Sequence, residues 1–195
     1  MANPADRAAP WVDLPRDLTA NILQRLRVVD IFKSALVCTA WRRLCQDPSM
    51  WRYLHLRNVL ADEPGFSKAV NEFPLLEELQ VEYSAISKQG IEAAGRSCPF
   101  LNSFSFIKAS QYNGSSDEEA VAIAENMHGL KHLTLVGNDM SDKGVEAILD
   151  GCPSLQSLYI ADCISVGLEG ELGKRCSQQI KDLNHIPQPR TRFFF

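Results

Sequence analysis

One spacing limits what this 195-residue chain can fold into. From Trp51 onward, apolar residues return in rows that open at Trp51, Leu76, Leu101, Leu130, Leu155 and Ile180, at steps of 25, 25, 29, 25 and 25 residues. Three positions into the rows stand Leu54, Leu79, Phe104, Leu133, Leu158 and Leu183. Five positions in stand Leu56, Val81, Phe106, Leu135, Ile160 and, breaking the series, His185. A period of this length marks one supersecondary unit per row, and such a unit buries its apolar face only by stacking on its neighbours. Within each row the apolar residues alternate with others at period two, as in a strand with one buried face. The residues after each strand suit a crossover helix, with Ser87–Arg96 and Ser141–Asp150 the clearest cases. The expected fold class is α/β: parallel strands joined by crossover helices in a short solenoid.

The same alternation assigns the opposite face. If the leucines point inward, the residues between them form one outward, concave surface. Glu82, Ile107, His132, Val136 and Tyr159 come from four neighbouring rows and are the candidate binding residues on it. A plain solvated sheet carries the same pattern. The single long step holds the polar run Ser110–Ser116, which leads to an expected capping box of Ser116 with Glu119. At the far end, His185, Pro187 and Pro189 are expected to stop strand pairing, leaving 177–195 as a frayed cap and tail. The aromatic end Phe193–Phe195 is a rival docking peptide. The L-x-x-L-x-L rows, Ile86–Ile91 (I-S-x-x-G-I) and Met140–Val145 (M-S-D-K-G-V) resemble the cysteine-containing leucine-rich repeats often joined to F-boxes, best over 73–176.

The first fifty-odd residues follow a helical period instead. Pro15 fits a first helical turn, followed by Leu18, Ile22 and Leu26 at four-residue steps. Asp30 is placed to cap a second helix through Ile31, Ala35 and Leu36; Val37, Trp41, Leu44 and Cys45 make a third stripe that Pro48 ends. So small a cluster gains by packing against something larger. Leu14-Pro15, Leu18, Ile22-Leu23, Asp30-Ile31 and the run Val37-Cys38…Trp41-Arg42…Leu44…Asp47-Pro48…Trp51 resemble the F-box pattern across 11–56. Asp17-Leu18 and the apolar Val28-Val29 depart from its commoner residues.

The joint resemblance is to plant-type F-box/leucine-rich-repeat proteins of the Skp-interacting-partner kind. It implies a three-helix F-box at 11–57 after a flexible 1–10, repeats over 51–183 with the first strand overlapping, and a tail at 184–195. It further implies docking to a Skp-type adaptor and through it to a cullin scaffold. Leu14, Pro15, Leu18, Ile22, Ile31, Val37 and Trp41 would lie at or near that adaptor, with Val37, Cys38, Trp41 and Leu44 also partly serving the core. The implied role is target recognition in a ubiquitin ligase, with the target on the repeats.

Charge and cysteine usage bear on the alternatives. Residues 1–57 hold nine Lys/Arg and five Asp/Glu, the remainder eleven and nineteen, so two parts with different partners are expected. The overall balance of -4 gives no general attraction for nucleic acid or an anionic membrane. No run approaches the roughly 18 apolar residues that span a bilayer. The opening MANPADRAAP lacks the apolar core of a secretory signal, so a cytoplasmic or nuclear setting is expected, with the six cysteines free. None of them forms a C-x-x-C pair, and no metal or cofactor is expected. Cys98, Cys152 and Cys176 read as buried packing residues rather than nucleophiles. P-loop, H-E-x-x-H and G-x-S-x-G signatures are missing, so no catalysis is expected of the chain itself. Asn113-Gly114-Ser115 is a formal glycosylation sequon that an intracellular chain would not use. Two other functions compete: a repeat scaffold with no ligase, and a helix-turn-helix nucleic-acid reader using Thr39, Arg42, Arg43 and Gln46.

Overall fold

The computed structural model describes residues 14–26, 28–58, 63–84, 86–108 and 116–187. The expected flexible start, the loop with its sequon and the Arg190–Phe195 tail lie outside those residues. The chain divides into two compact units, one ending at Arg52 and the other beginning at Tyr53.

The first unit holds α1 (Arg16–Leu23), α2 (Val28–Ser34), α3 (Thr39–Cys45) and a 3-10 turn, Pro48–Met50. Pro15 stands one residue before α1 as its N-cap, and its carbonyl accepts from the Thr19 backbone N–H at 3.0 Å and the Thr19 hydroxyl at 3.2 Å. Proline's missing N–H is no loss there. α2 begins two residues before Asp30, which therefore sits in the first turn instead of capping it. A carboxylate is favourable in either place, because both lie at the positive end of the helix dipole. α2 also ends at Ser34, short of the expected Leu36. A cysteine caps α3: the Cys38 sulfur accepts from the Trp41 N–H at 3.5 Å. Beyond α3, the Asp47 carboxylate accepts from both the N–H (3.0 Å) and the hydroxyl (2.8 Å) of Ser49 and opens the 3-10 turn. Leu23, Ile31, Leu44, Cys45, Met50 and Trp51 are buried in this unit, and the Trp51 indole donates to the Cys45 carbonyl at 2.9 Å.

The second unit alternates strand and helix: β1 (Tyr53–Arg57), α4 (Glu63–Val70), β2 (Glu78–Glu82), α5 (Lys88–Ser97), β3 (Ser103–Ile107), α6 (Glu118–Asn126), β4 (His132–Val136), α7 (Asp142–Gly151), β5 (Ser157–Ala161), α8 (Gly170–Gln179) and β6 (Asp182–Ile186). The strands form one parallel sheet in chain order. Its register matches the row alignment read from the sequence: Leu54, Leu79, Phe104, Leu133, Leu158 and Leu183 are successive partners. The row-opening residues are all buried, as are Leu79, Phe104, Leu133 and Leu158. α5 and α7 take Ser87 and Ser141 as N-caps, so the two expected crossover helices form with the expected starts.

Two expectations are corrected. β6 pairs with β5 through Ile186, so His185 does not end the ladder and residues 177–186 are not frayed. Parallel pairing uses backbone groups, and an edge position tolerates a half-exposed histidine. The Ser116–Glu119 capping box does not form either. α6 starts from Asp117, while Glu119 is drawn to the Lys108 ammonium at 2.9 Å. Asp117 serves the next row, accepting from the Ser141 N–H at 2.7 Å and from its hydroxyl at 2.9 Å. Charge-assisted bonds win over a neutral cap.

Candidate functional site

Side chains left unsatisfied by each unit identify its candidate surface. In the first unit, α1 turns Thr19 and Leu23 inward and leaves Leu18 48% and Ile22 44% exposed. Leu26 follows at 39%, in the turn after the helix, so three large apolar residues continue at four-residue spacing in water. Leu36 (76%) and Val37 (64%) are exposed just past the end of α2. Leu14 is partly exposed and Pro15 is exposed. Leu14 and the partly exposed Trp41 meet across a pocket of about 460 Å³, which Arg16, Thr19, Ala40, Arg43 and Leu44 complete.

Ile31 stands apart from the other expected adaptor residues. Ile31 is only 4% exposed and belongs to the core, because the face of α2 that carries it and Ser34 turns inward. Its carbonyl accepts from the Cys45 thiol at 3.5 Å. Val37, expected at the adaptor and partly in the core, lies in solvent beyond the α2 end. Leu36 was assigned to the second helix and is the most exposed of these residues; no periodicity could reveal it, since it follows from where α2 stops.

On the strand face, the register sets Glu82 beside Ile107, Ile107 beside Val136, Val136 beside Ala161 and Ala161 beside Ile186. An apolar line thus crosses four strands at their C-terminal ends. Tyr159, half-buried, sits one step back on β5, with Thr134 as its neighbour on β4. His132 is exposed at the opposite end of β4 from Val136. The five expected target residues therefore share one face, but only Glu82, Ile107 and Val136 are in line.

Glu82 is not a free acid. Its carboxylate receives the His55 ring at 3.1 Å, the Arg57 guanidinium at 3.2 Å and the Gln80 amide at 2.6 Å, and the residue is 9% exposed. The Arg57 guanidinium also lies 5.7 Å over the Tyr83 ring. Tyr83 was not anticipated: it falls after the strand, at a positive φ of 50°, where period-two logic assigns no face. Lys108 likewise has its charge answered by Glu119 and, at 4.0 Å, Asp139.

Cys45, Cys98, Cys152, Cys163 and Cys176 face the interior, while Cys38 is partly exposed. Burial pushes the Cys98, Cys152 and Cys163 thiols up to about 11, and raises Cys45 and Cys176 as well. Thiols held protonated at neutral pH are poor nucleophiles. Among the described residues no three His, Cys, Asp or Glu side chains gather as a metal site, and no helix is long and apolar enough to cross a membrane.

Comparison with known proteins adds to this geometry. The F-box-like family model matches residues 11–57, and a leucine-rich-repeat model matches 126–149. Putative F-box/LRR-repeat protein 23 of Arabidopsis thaliana is 34% identical over 89% of this chain and 52% of its own length. F-box protein SKIP19 of the same plant is 32% identical over 90% of this chain and 76% of its own. For putative F-box/LRR-repeat protein 21 the figures are 32%, 89% and 80%. The chain thus spans about half of the first relative and about three quarters of the other two.

Proposed function

Because this chain belongs to the F-box/leucine-rich-repeat family, we propose that it is the substrate-recognition subunit of a Skp-cullin-F-box type ubiquitin ligase. The helical part, 11–57, docks to a Skp-type adaptor and so to a cullin scaffold; the repeats, 51–183 and on through β6, hold a target protein. The observation that carries this reading is the set of large apolar side chains left in water by the small helical unit: Leu18, Ile22, Leu26, Leu36 and Val37. Scattered exposed apolar residues need no explanation, but three at four-residue spacing on one small unit suit a partner-binding surface. The setting is cytoplasmic or nuclear. The chain's contribution to transfer is proximity: it holds a target lysine near a conjugating enzyme carried by another subunit.

Titration calorimetry of the full chain against a Skp-type adaptor tests the assignment. Replacing Leu14 and Pro15 by alanine should weaken binding by about 2 kcal/mol or more, the scale of interface anchors. Unchanged affinity would remove those two anchors. A wild-type chain that binds no adaptor would leave the repeat scaffold without a ligase as the better account.

A further inference from the structure

The 460 Å³ pocket of the helical unit combines an apolar lining with one charge that finds no partner among the described residues. Leu14, Thr19, Ala40, Trp41 and Leu44 supply the lining, and two arginines, Arg16 and Arg43, reach it. Arg16 is already engaged, 2.5 Å from the Asp47 carboxylate. Hydrogen bonds from Ser49, followed by the charge of Arg16, hold that carboxyl below its usual range, so Asp47 stays ionised as the Arg16 partner at neutral pH. Arg43 is exposed and makes no ion pair or hydrogen bond among the described residues. The sequence around it is basic, with nine Lys/Arg against five Asp/Glu in 1–57. A guanidinium without a partner among the described residues, beside an apolar hollow, matches one kind of partner: a bulky apolar side chain next to a carboxylate. The side chain fills a hollow within the size range of ligand pockets, roughly 300–1,000 Å³. The carboxylate takes the fork of Arg43, in a bond strengthened as the apolar groups exclude water.

We propose that this pocket is a socket for an acidic segment of the adaptor, and that Arg43 is the residue that selects for its acidity. This rests on the adaptor-docking reading and adds to it the chemistry of the docked segment. Arg25 provides the control: it is an exposed cation on the same unit that does not line the pocket.

The test is calorimetry of the full chain with a Skp-type adaptor at about 0.05 M and about 0.5 M salt, where screening differs strongly. Arg43→Glu should weaken binding by roughly tenfold or more at low salt, with a smaller loss at high salt, while Arg25→Glu should change it by less than about twofold. Ala40→Trp, which fills the hollow from α3, should weaken binding at both salt concentrations; circular dichroism spectra like the wild type's would show that each variant is folded. If Arg43→Glu stays within about twofold, or Arg25→Glu loses as much as Arg43→Glu, there is no selective socket. Should the Leu14/Pro15 variant lose binding while Arg43→Glu keeps it, adaptor docking stands and the socket alone is wrong. A wild-type chain that ignores the adaptor overturns both.

Discussion

Single residues in the repeats take positions that their polarity alone would not suggest. Asn138 donates its amide to the carbonyls of Val136 and Phe106, both at 3.1 Å. One row on, Cys163 takes the same position and donates its thiol to Ala161 at 3.3 Å and Leu135 at 3.9 Å. Cys98 and Cys152, at the ends of α5 and α7, donate to the Phe73 and Met127 carbonyls of the preceding rows, each at 3.5 Å. A small side chain with one weak donor satisfies a buried carbonyl and fills the gap between rows at once. Burial raises these thiols to about 11, above their ordinary value of 9.0, so the folded chain binds protons more tightly than the unfolded one between those values. Their contribution to stability is complete below about pH 9 and is lost as pH rises toward 11. Urea midpoints should therefore fall across that interval, and Cys152→Ala should make the fall shallower than in the wild type. An identical slope in both proteins would mean that the Cys152 thiol is not protected. In the folded protein at pH 8, alkylation of these cysteines should be slow and limited by opening.

At the scale of elements, the leucine rows were legible because period and burial agree. A shift of one residue would turn Leu79, Leu133 and Leu158 out of the core, and the register admits no such shift. Each is at most 1% exposed, so Leu→Ala at any of them should cost about 2 to 5 kcal/mol in chemical denaturation. Tolerance at all three would contradict the stacking. The helices add a constraint that the strand pattern does not carry. A Cβ on Gly151 would come within 2.2 Å of the Ala124 carbonyl oxygen, so α6 and α7 approach closely only because glycine is there. Gly151→Ala should lower the melting temperature and spread the two helices, despite the better helix propensity of alanine. Helix boundaries were less legible. Asp30 is favourable as a cap or in a first turn, and the Ser116–Glu119 box was plausible until Lys108, just past the end of β3, claimed Glu119. The burial of Glu82 was hidden for a similar reason: its partners His55 and Arg57 are a row away in sequence and become neighbours only through the β1–β2 register.

At the scale of the whole molecule, the two units differ in what they leave unmet, and this makes their roles separable. The helical unit exposes large apolar side chains and an arginine, Arg43, that has no partner among the described residues. On the strand face the Arg57 charge is answered by Glu82, and an apolar line of Ile107, Val136, Ala161 and Ile186 runs beside Tyr159. Interface energy concentrates in aromatic and apolar anchors within a polar rim, so Tyr159 is the residue on this face to test first. It is half-buried on β5 and its loss leaves the leucine rows intact, so Tyr159→Ala should fold normally. The variant should bind the adaptor with wild-type affinity in calorimetry. In cells, proteins that accumulate when the wild-type chain is depleted should fail to be cleared when Tyr159→Ala replaces it, and their ubiquitination should fall with their capture. Deletion of 188–195 is the necessary companion, because Phe193–Phe195 offers three aromatics of its own. If that deletion abolishes target capture and Tyr159→Ala does not, recognition belongs to the tail. If crosslinks from a captured target map instead to Glu92 on α5 or Glu146 on α7, recognition belongs to the helical side of the repeats, and the strand face is a solvated sheet.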